Sequence, residues 1–497
     1  MRFLKKAAPF LFIAAVAALL LYIPDIGPER YTDLGTFFKI ELRRQSYAGY
    51  AVAVVADGSV LYVDALGSDG SGKPLSIDTP LLLGSVSKTF TGLLTLSLER
   101  DKMVGIDDPV RLYLPWLVYG PPRKIDPNSA GGAGTEVTLR HLISQTSGVS
   151  DLSFDDTHAH AANLESAVRS LSNATPDRPP GVEMHYINTG YQAVALALEK
   201  AAGQSFSDMV ITRIFRPLGM DRSSASPAKV AGALPMGSGS FFGAPLPRRQ
   251  TVLPFGASSG YMVSTANDMA RYLAYLAGPE KLARTPVPAR FIRPLYEPLV
   301  DVSPYAYGWR ISGSGLDLEA SHSGSLDGSS AFIALWPARR AGVVILAPQN
   351  SLLQSLMAMP ALVNGARSLV LNGSSDRPFP LGRIYILLAV IAVVHILALA
   401  LQTGGALAWA RDIRCRVEAV GSRGPLRAAA ALASIGIALR LAIFVFAPIV
   451  LGAGFERRFT WATAFALEPG LAGWAVAALS FGILRNIARL AWIGGPR

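Results

Sequence analysis

The chain has one cysteine, Cys415, among 497 residues, so no internal disulfide can form. Histidine is also scarce, six in all. No His-Glu-x-x-His pair occurs, so the sequence offers no zinc site and calls for no metal or other cofactor. His158 and His160 sit in a polar stretch and read as surface residues. Charged residues make up only 16% of the chain against 51% hydrophobic, a balance tilted towards membrane proteins. No internal repeat is visible. The formal net charge is +11, from 46 basic and 35 acidic residues. Much of the excess flanks apolar runs, so it reads as a topology signal rather than a nucleic-acid footprint.

Long apolar runs are what the chain does have. Arg2, Lys5 and Lys6 precede a run from Ala7 to Ile23, read as an anchor rather than a cleaved signal because its small-x-small site lies inside the run. Runs at 384–401, 426–451 and 461–484 are each long enough to cross about 30 Å of hydrocarbon. Arg411, Arg414, Arg416, Arg423 and Arg427 lie between the first two of these. The positive-inside rule then puts that loop and both termini in the cytoplasm, with residues 30–378 outside the inner membrane. Cys415 falls on the reducing side, where a free thiol is expected. Arg440 and Glu468 fall within the spans. Such groups are functional candidates by default; alternatively Arg440 snorkels and Glu468 sits at the interface, or the two pair across helices.

Between the membrane segments the pattern is α+β. Residues 48–65 form two β runs around Asp57-Gly58, a hairpin signal. Helical patterns follow at 138–144, 191–202 and 265–276, then strands at 307–311, 331–336 and 342–346, so hairpin, helices and strands give a helix-flanked antiparallel sheet. The expected division is an N-terminal anchor (1–29), an extracytoplasmic domain (30–363), a linker (364–382) and three transmembrane helices (383–497).

Ser85 and Lys88 stand three residues apart where an apolar-periodic run begins: Val86, Phe90, Leu93, Leu94 and Leu98. On a helix that spacing puts both on one face. A serine hydroxyl becomes a nucleophile when a neighbouring base takes its proton, and burial lowers a lysine's pKa towards that role. Alone, the pattern is as well explained by a helix N-cap with an exposed lysine. It recurs at Ser226-Pro-Ala-Lys229, where the following glycines and proline predict a loop.

Three features in order change the balance: Ser85-x-x-Lys88, then Tyr186-Ile187-Asn188, then His322-Ser323-Gly324. With flanks such as His141-Leu-Ile-Ser-Gln-Thr-Ser-Gly148 and Phe215-Arg-Pro-Leu-Gly-Met220, residues 45–350 resemble the serine β-lactamase and penicillin-binding-protein superfamily. The match is to its class C-like branch of D-aminopeptidases, carboxypeptidases and esterases. The resemblance implies a β-lactamase-like fold: an antiparallel sheet flanked by helices, with an all-helical subdomain. It implies Ser85 as the acylated nucleophile, Lys88 as the acceptor of its proton, and Tyr186 as the partner acid/base that relays protons to the leaving group and from water. It also implies Asn188 on the substrate or on Lys88, and backbone N–H groups of Ser85 and Ser325 as an oxyanion hole, with Gly324 allowing close approach. His322 replaces the lysine with which relatives hold a substrate carboxylate, and histidine is largely neutral near pH 7, so carboxylate recognition is expected to be weak.

The expected function is a membrane-anchored serine hydrolase, a peptidase or amidase acting on D-amino-acid-containing or N-acylated peptides. The order of segments resembles that of periplasmic peptidases that remove an N-acyl-D-asparagine cap. The expected partners are an acyl-amide or peptide substrate and membrane lipid, with no nucleic acid. A short-chain esterase, a weak β-lactamase and a non-catalytic penicillin-type sensor are the alternatives, but the loop at 402–425 and the short tail leave little room for a signalling domain.

Overall fold

A computed structural model describes residues 25, 27–117, 136–150, 161–281, 285–405, 415, 424–454 and 460–494. The N-terminal apolar run, the His158 and His160 stretch, and Arg411, Arg414, Arg416, Arg423, Arg457 and Arg458 lie outside the described residues. The chain divides into two compact units. One takes Ile26–Gly239 and Pro245–Pro380; the other takes Met1–Asp25, Ser240–Ala244 and Leu381–Arg497.

The larger unit is built on an antiparallel sheet. Its described strands are β1 (Gly49–Ala56), β2 (Ser59–Gly67), β3 (Tyr305–Ala306), β4 (Trp309–Ser312), β5 (Glu319–Leu326), β6 (Ser329–Trp336) and β7 (Ala341–Ala347). Their order is β2-β1-β7-β6-β5-β4-β3, so the C-terminal strands β6 and β7 slot between the first hairpin and β5. Asp57 and Gly58, both at positive φ, make the hairpin turn between β1 and β2. β1 is buried along almost its whole length. Ala51, Ala53 and Val55 face the main core, while Tyr50 donates to the Phe38 carbonyl of the Leu34–Arg44 helix at 2.6 Å. Burial on both faces is why that strand reads as a continuous apolar run rather than an alternation.

The long helices of this unit are α1 (Ser87–Arg100), α2 (Asn188–Ala202), α3 (Ala266–Ala277) and α4 (Met359–Asn372). Thr265 caps α3 by accepting from the Asp268 N–H at 3.1 Å. Two expectations are corrected. The stretch at 364–382 was read as a linker, yet α4 runs through Asn372. Its Leu362, Val363, Ala366 and Leu369 form a buried face, and Gly365 lets the Phe37 ring pack on it. Ser226-Pro-Ala-Lys229 is not a loop but a single helical turn, Pro227–Val230. Proline at the first position is already set at the helical φ. Ser226 Oγ lies 2.6 Å from Ser207 Oγ, and Lys229 is exposed, so the second copy of the motif brings no serine and lysine together.

In the smaller unit α5 (Leu381–Gly404), α6 (Gly424–Gly454) and α7 (Pro469–Gly494) contain three segments long and apolar enough to cross a membrane: Leu381–Gln402, Arg427–Pro448 and Pro469–Ala491. The last apolar run is broken at Glu468-Pro469, because proline cannot continue the short helix Trp461–Leu467 that precedes it. Glu468 and Arg440 do not pair. Glu468 accepts from the Tyr385 hydroxyl at 3.1 Å, and Arg440 donates to the Gly436 carbonyl at 2.8 Å.

Candidate active site

Ser85 lies in a tight turn, Gly84–Val86, that feeds directly into α1. Gly84 adopts φ +53°, and a Cβ there would fall 2.8 Å from the backbone nitrogen of Ser325. Gly324 is bound by the same constraint from the other side, since its Cβ would meet the Leu83 carbonyl oxygen at 2.1 Å. Two glycines therefore let strand β5 lie against the turn that carries Ser85. Ser87 pins the turn: its hydroxyl donates to the Gly84 carbonyl at 2.7 Å and accepts from the Met262 N–H at 3.1 Å.

Lys88 projects from the first turn of α1 onto the same face as Ser85, as the three-residue spacing requires. Its side chain is fully buried. Its ammonium donates to Ser85 Oγ at 3.2 Å, to Asn188 Oδ1 at 2.8 Å and to the Ser259 carbonyl. Asn188 is the first residue of α2 rather than its cap, which turns its amide inward to Lys88. Ser259 sits in the Ala257–Tyr261 turn, tied to α1 by the Thr91 hydroxyl donating to the Ser258 carbonyl at 2.8 Å.

Tyr186 reaches the same point from the far side, its hydroxyl donating to Ser85 Oγ at 2.8 Å. Its neighbours hold it there: the His185 N–H donates to the Gln145 carbonyl at 2.8 Å and the Ile187 N–H to Gln145 Oε1 at 3.0 Å. Gln145 is buried at φ +62°, an uncommon conformation for a residue with a Cβ. Lys88 Nζ stands 4.8 Å from the Tyr186 ring centroid and 5.6 Å from that of Tyr191, a distance at which an aromatic face stabilises a cation.

His322 is 8% exposed. Its Nδ1 lies 2.6 Å from the Ser323 carbonyl and its Nε2 2.5 Å from the Tyr305 hydroxyl. A carbonyl only accepts, so Nδ1 carries a proton, and in the neutral imidazole Nε2 accepts from Tyr305. Burial, with the neighbouring Tyr191 and Tyr186, holds the Tyr305 hydroxyl well above the ordinary tyrosine value, so it remains a phenol. Ser323 and Ser325 are the exposed residues of this edge. Asn350 Nδ2 donates to Ser325 Oγ at 2.7 Å and to the Leu326 carbonyl at 2.8 Å.

The structure thus brings Ser85, Lys88, Tyr186 and Asn188 into one hydrogen-bonded group, with Gly324 and Ser325 on the adjoining strand and His322 beneath it. Sequence reading passed over Gln145, Ser259, Tyr305 and Asn350. Gln145 lies inside a quoted flanking phrase; Ser259 contributes only its backbone, which no side-chain pattern reveals. Among the described residues searched, no group of three or more His, Cys, Asp or Glu side chains could hold a metal ion.

The fold and this cluster define a β-lactamase/penicillin-binding-protein-like protein, a superfamily whose members are generally serine acyl-enzyme hydrolases. Residues 34–365 match the Beta-lactamase family, and the chain belongs to it. Protein flp of Staphylococcus aureus (strain MW2) is 25% identical over 332 residues, 64% of this chain and 63% of that protein. Penicillin-binding protein 4* of Bacillus subtilis (strain 168) is 29% identical over 198 residues, 38% of this chain and 40% of its own. The octameric penicillin-binding protein homologue from Pyrococcus abyssi superposes with a TM-score of 0.56 at 23% identity, over 68% of this chain and 77% of that one. FmtA from Staphylococcus aureus does so at 0.52 and 19%, over 68% and 88%. The structural likenesses carry the fold alone, and the chain spans less than two thirds of the length of Protein flp.

Proposed function

We propose that this protein is a membrane-anchored serine hydrolase that forms an acyl-enzyme at Ser85 and acts outside the cytoplasmic membrane as a peptidase or amidase. The observation that supports it is the position of Ser85 Oγ, within hydrogen-bonding distance of both Lys88 Nζ, at 3.2 Å, and Tyr186 Oη, at 2.8 Å. Asn188 Oδ1 and the Ser259 carbonyl can only accept, and both take a hydrogen bond from Lys88 Nζ, which favours the charged lysine. That charge favours the phenolate of Tyr186, which makes Tyr186 the first acceptor of the Ser85 proton, with Lys88 as the electrostatic partner.

Ser85 Oγ then attacks the substrate carbonyl. The oxyanion is held by the backbone N–H groups of Ser85 and Ser325, each such donor contributing about 3 kcal/mol. Tyr186 returns its proton to the leaving amine, the acyl group stays on Ser85, and a water deprotonated by the same phenolate releases it. Asn188 holds Lys88 in place. The neutral His322 offers no cation for a substrate carboxylate, so the favoured substrates are amides of N-acylated or D-amino-acid-containing peptides whose acyl chain partitions into the bilayer.

Purified full-length protein incubated with N-acyl-D-amino-acid amides, nitrophenyl esters and a chromogenic cephalosporin tests this. Turnover of the amides, lost in Ser85→Ala and kept in Ser226→Ala, is the expected result. Faster turnover of the esters would make the protein an esterase, and labelling without any turnover would make it a sensor.

A further inference from the structure

We propose that the three C-terminal spans bind the phosphate of an anionic phospholipid between Arg440 and Arg485, in the leaflet that the end of α7 enters. The site lies wholly within the smaller unit and does not depend on the chemistry at Ser85. Arg440 lies 13 residues into the span Arg427–Pro448. It is laid across Gly482 of α7, where a Cβ would fall 2.0 Å from Arg440 Nε. One turn further along α7, Asn486 lies against Gly436 of α6, where a Cβ would fall 2.5 Å from its Nδ2. The two glycines bring α6 and α7 close enough for each to receive a polar side chain of the other.

Arg485, beside Asn486 on α7, donates to Gln402, the last residue of the α5 span. All three helices therefore contribute. Gln402 places Arg485 near the headgroup level. Arg489 stands one turn further out, while Arg440, level with Gly482, stands about one turn further in.

Nothing described neutralises Arg440 or Arg485. Arg440 spends one donor on the Gly436 carbonyl, and the buried Nε of Arg485 has no hydrogen-bond partner. Glu468, the acid just before the third span, is engaged by Tyr385 and precedes Arg485 by 17 residues, about 25 Å along a helix. Two cations within a turn of each other at membrane depth are costly without an anion. A phosphodiester offers oxygens suited to the guanidinium fork, and a lipid delivers it from within the bilayer while its chains cover the apolar helix faces. The arrangement gives three spans a task that a single anchor could not perform.

The test uses full-length protein in a neutral detergent, with thermal unfolding of the spans followed as phosphatidylglycerol, phosphatidylcholine or inorganic phosphate is added. Saturable stabilisation by phosphatidylglycerol, not matched by the other two, is expected. Its midpoint should move at least tenfold in Arg440→Gln and in Arg485→Gln and stay put in Arg383→Gln, which lies at the start of α5. Equal stabilisation by phosphatidylcholine, or an unmoved midpoint in both arginine variants, overturns the proposal. So does inorganic phosphate acting as strongly as the lipid. Should the variants fail to fold, the wild-type comparison of headgroups still decides.

Discussion

At the scale of single residues, the site depends on how many protons Lys88 has to give and where they go. With Asn188 Oδ1 and the Ser259 carbonyl accepting from it, Lys88 is held as a donor, and Tyr186, which in the resting site donates to Ser85 Oγ, gives up its own proton before it accepts that of Ser85. Tyr186→Phe keeps the ring beside Lys88 but removes the proton carrier, so stopped-flow acylation should slow by about 10²- to 10⁴-fold with the unfolding temperature nearly unchanged. Asn188→Ala should slow acylation, read by stopped flow, because Lys88 loses a fixed partner. A second residue-scale expectation concerns Asp69, whose carboxylate accepts from Ser71, the Lys73 N–H and the Met236 N–H. Burial pushes its pKa up, but these hydrogen bonds outweigh it and hold the group below the ordinary 3.8. A depressed folded-state pKa contributes stability that is present above the unfolded value and lost as pH falls through the folded one. The gap in unfolding temperature between wild type and Asp69→Asn should therefore be full at pH 6 and close as the pH drops below 3.8.

At the scale of elements, the approach of β5 to the Ser85 turn sets the geometry. Gly324→Ala places a methyl group 2.1 Å from the Leu83 carbonyl oxygen, a backbone atom that cannot swing away. The strand must move, and overpacking of this kind costs about 1–3 kcal/mol. Calorimetry should show a lowered unfolding temperature together with at least a tenfold loss of acylation. The hairpin at 48–65, the strands at 331–336 and 342–346 and the helices beginning near Thr138 and Thr265 were legible because each carries a strong local signal: a turn dipeptide, an apolar run or a capping threonine. The Ser85–Lys88 face was legible for the same reason, three residues on one helix being a local fact. Tyr305 and Asn350 were not, since their partners, His322 and Ser325, lie 17 and 25 residues away and are reached through sheet pairing that no periodicity encodes. The helix at 359–372 was missed because Asn364 and Gly365 look like linker residues until Phe37 supplies the packing.

At the scale of the whole molecule, a β-lactamase-like unit is joined to helices able to span a membrane. The proposed topology puts the first outside and Cys415 inside. Cys415 is the single cysteine of the chain and is exposed, so it reports on sidedness without engineering. A membrane-impermeant maleimide should leave it unmodified in intact spheroplasts and modify it after detergent permeabilisation; labelling of intact spheroplasts would reverse the orientation.

The central claim is that one serine, among many, is made nucleophilic by its neighbours. Full-length protein treated with a fluorophosphonate, digested and sequenced by mass spectrometry tests it directly. The account predicts a single adduct on Ser85 that persists in Ser226→Ala and falls by orders of magnitude in Lys88→Ala. No adduct, or one on a different serine, would contradict it.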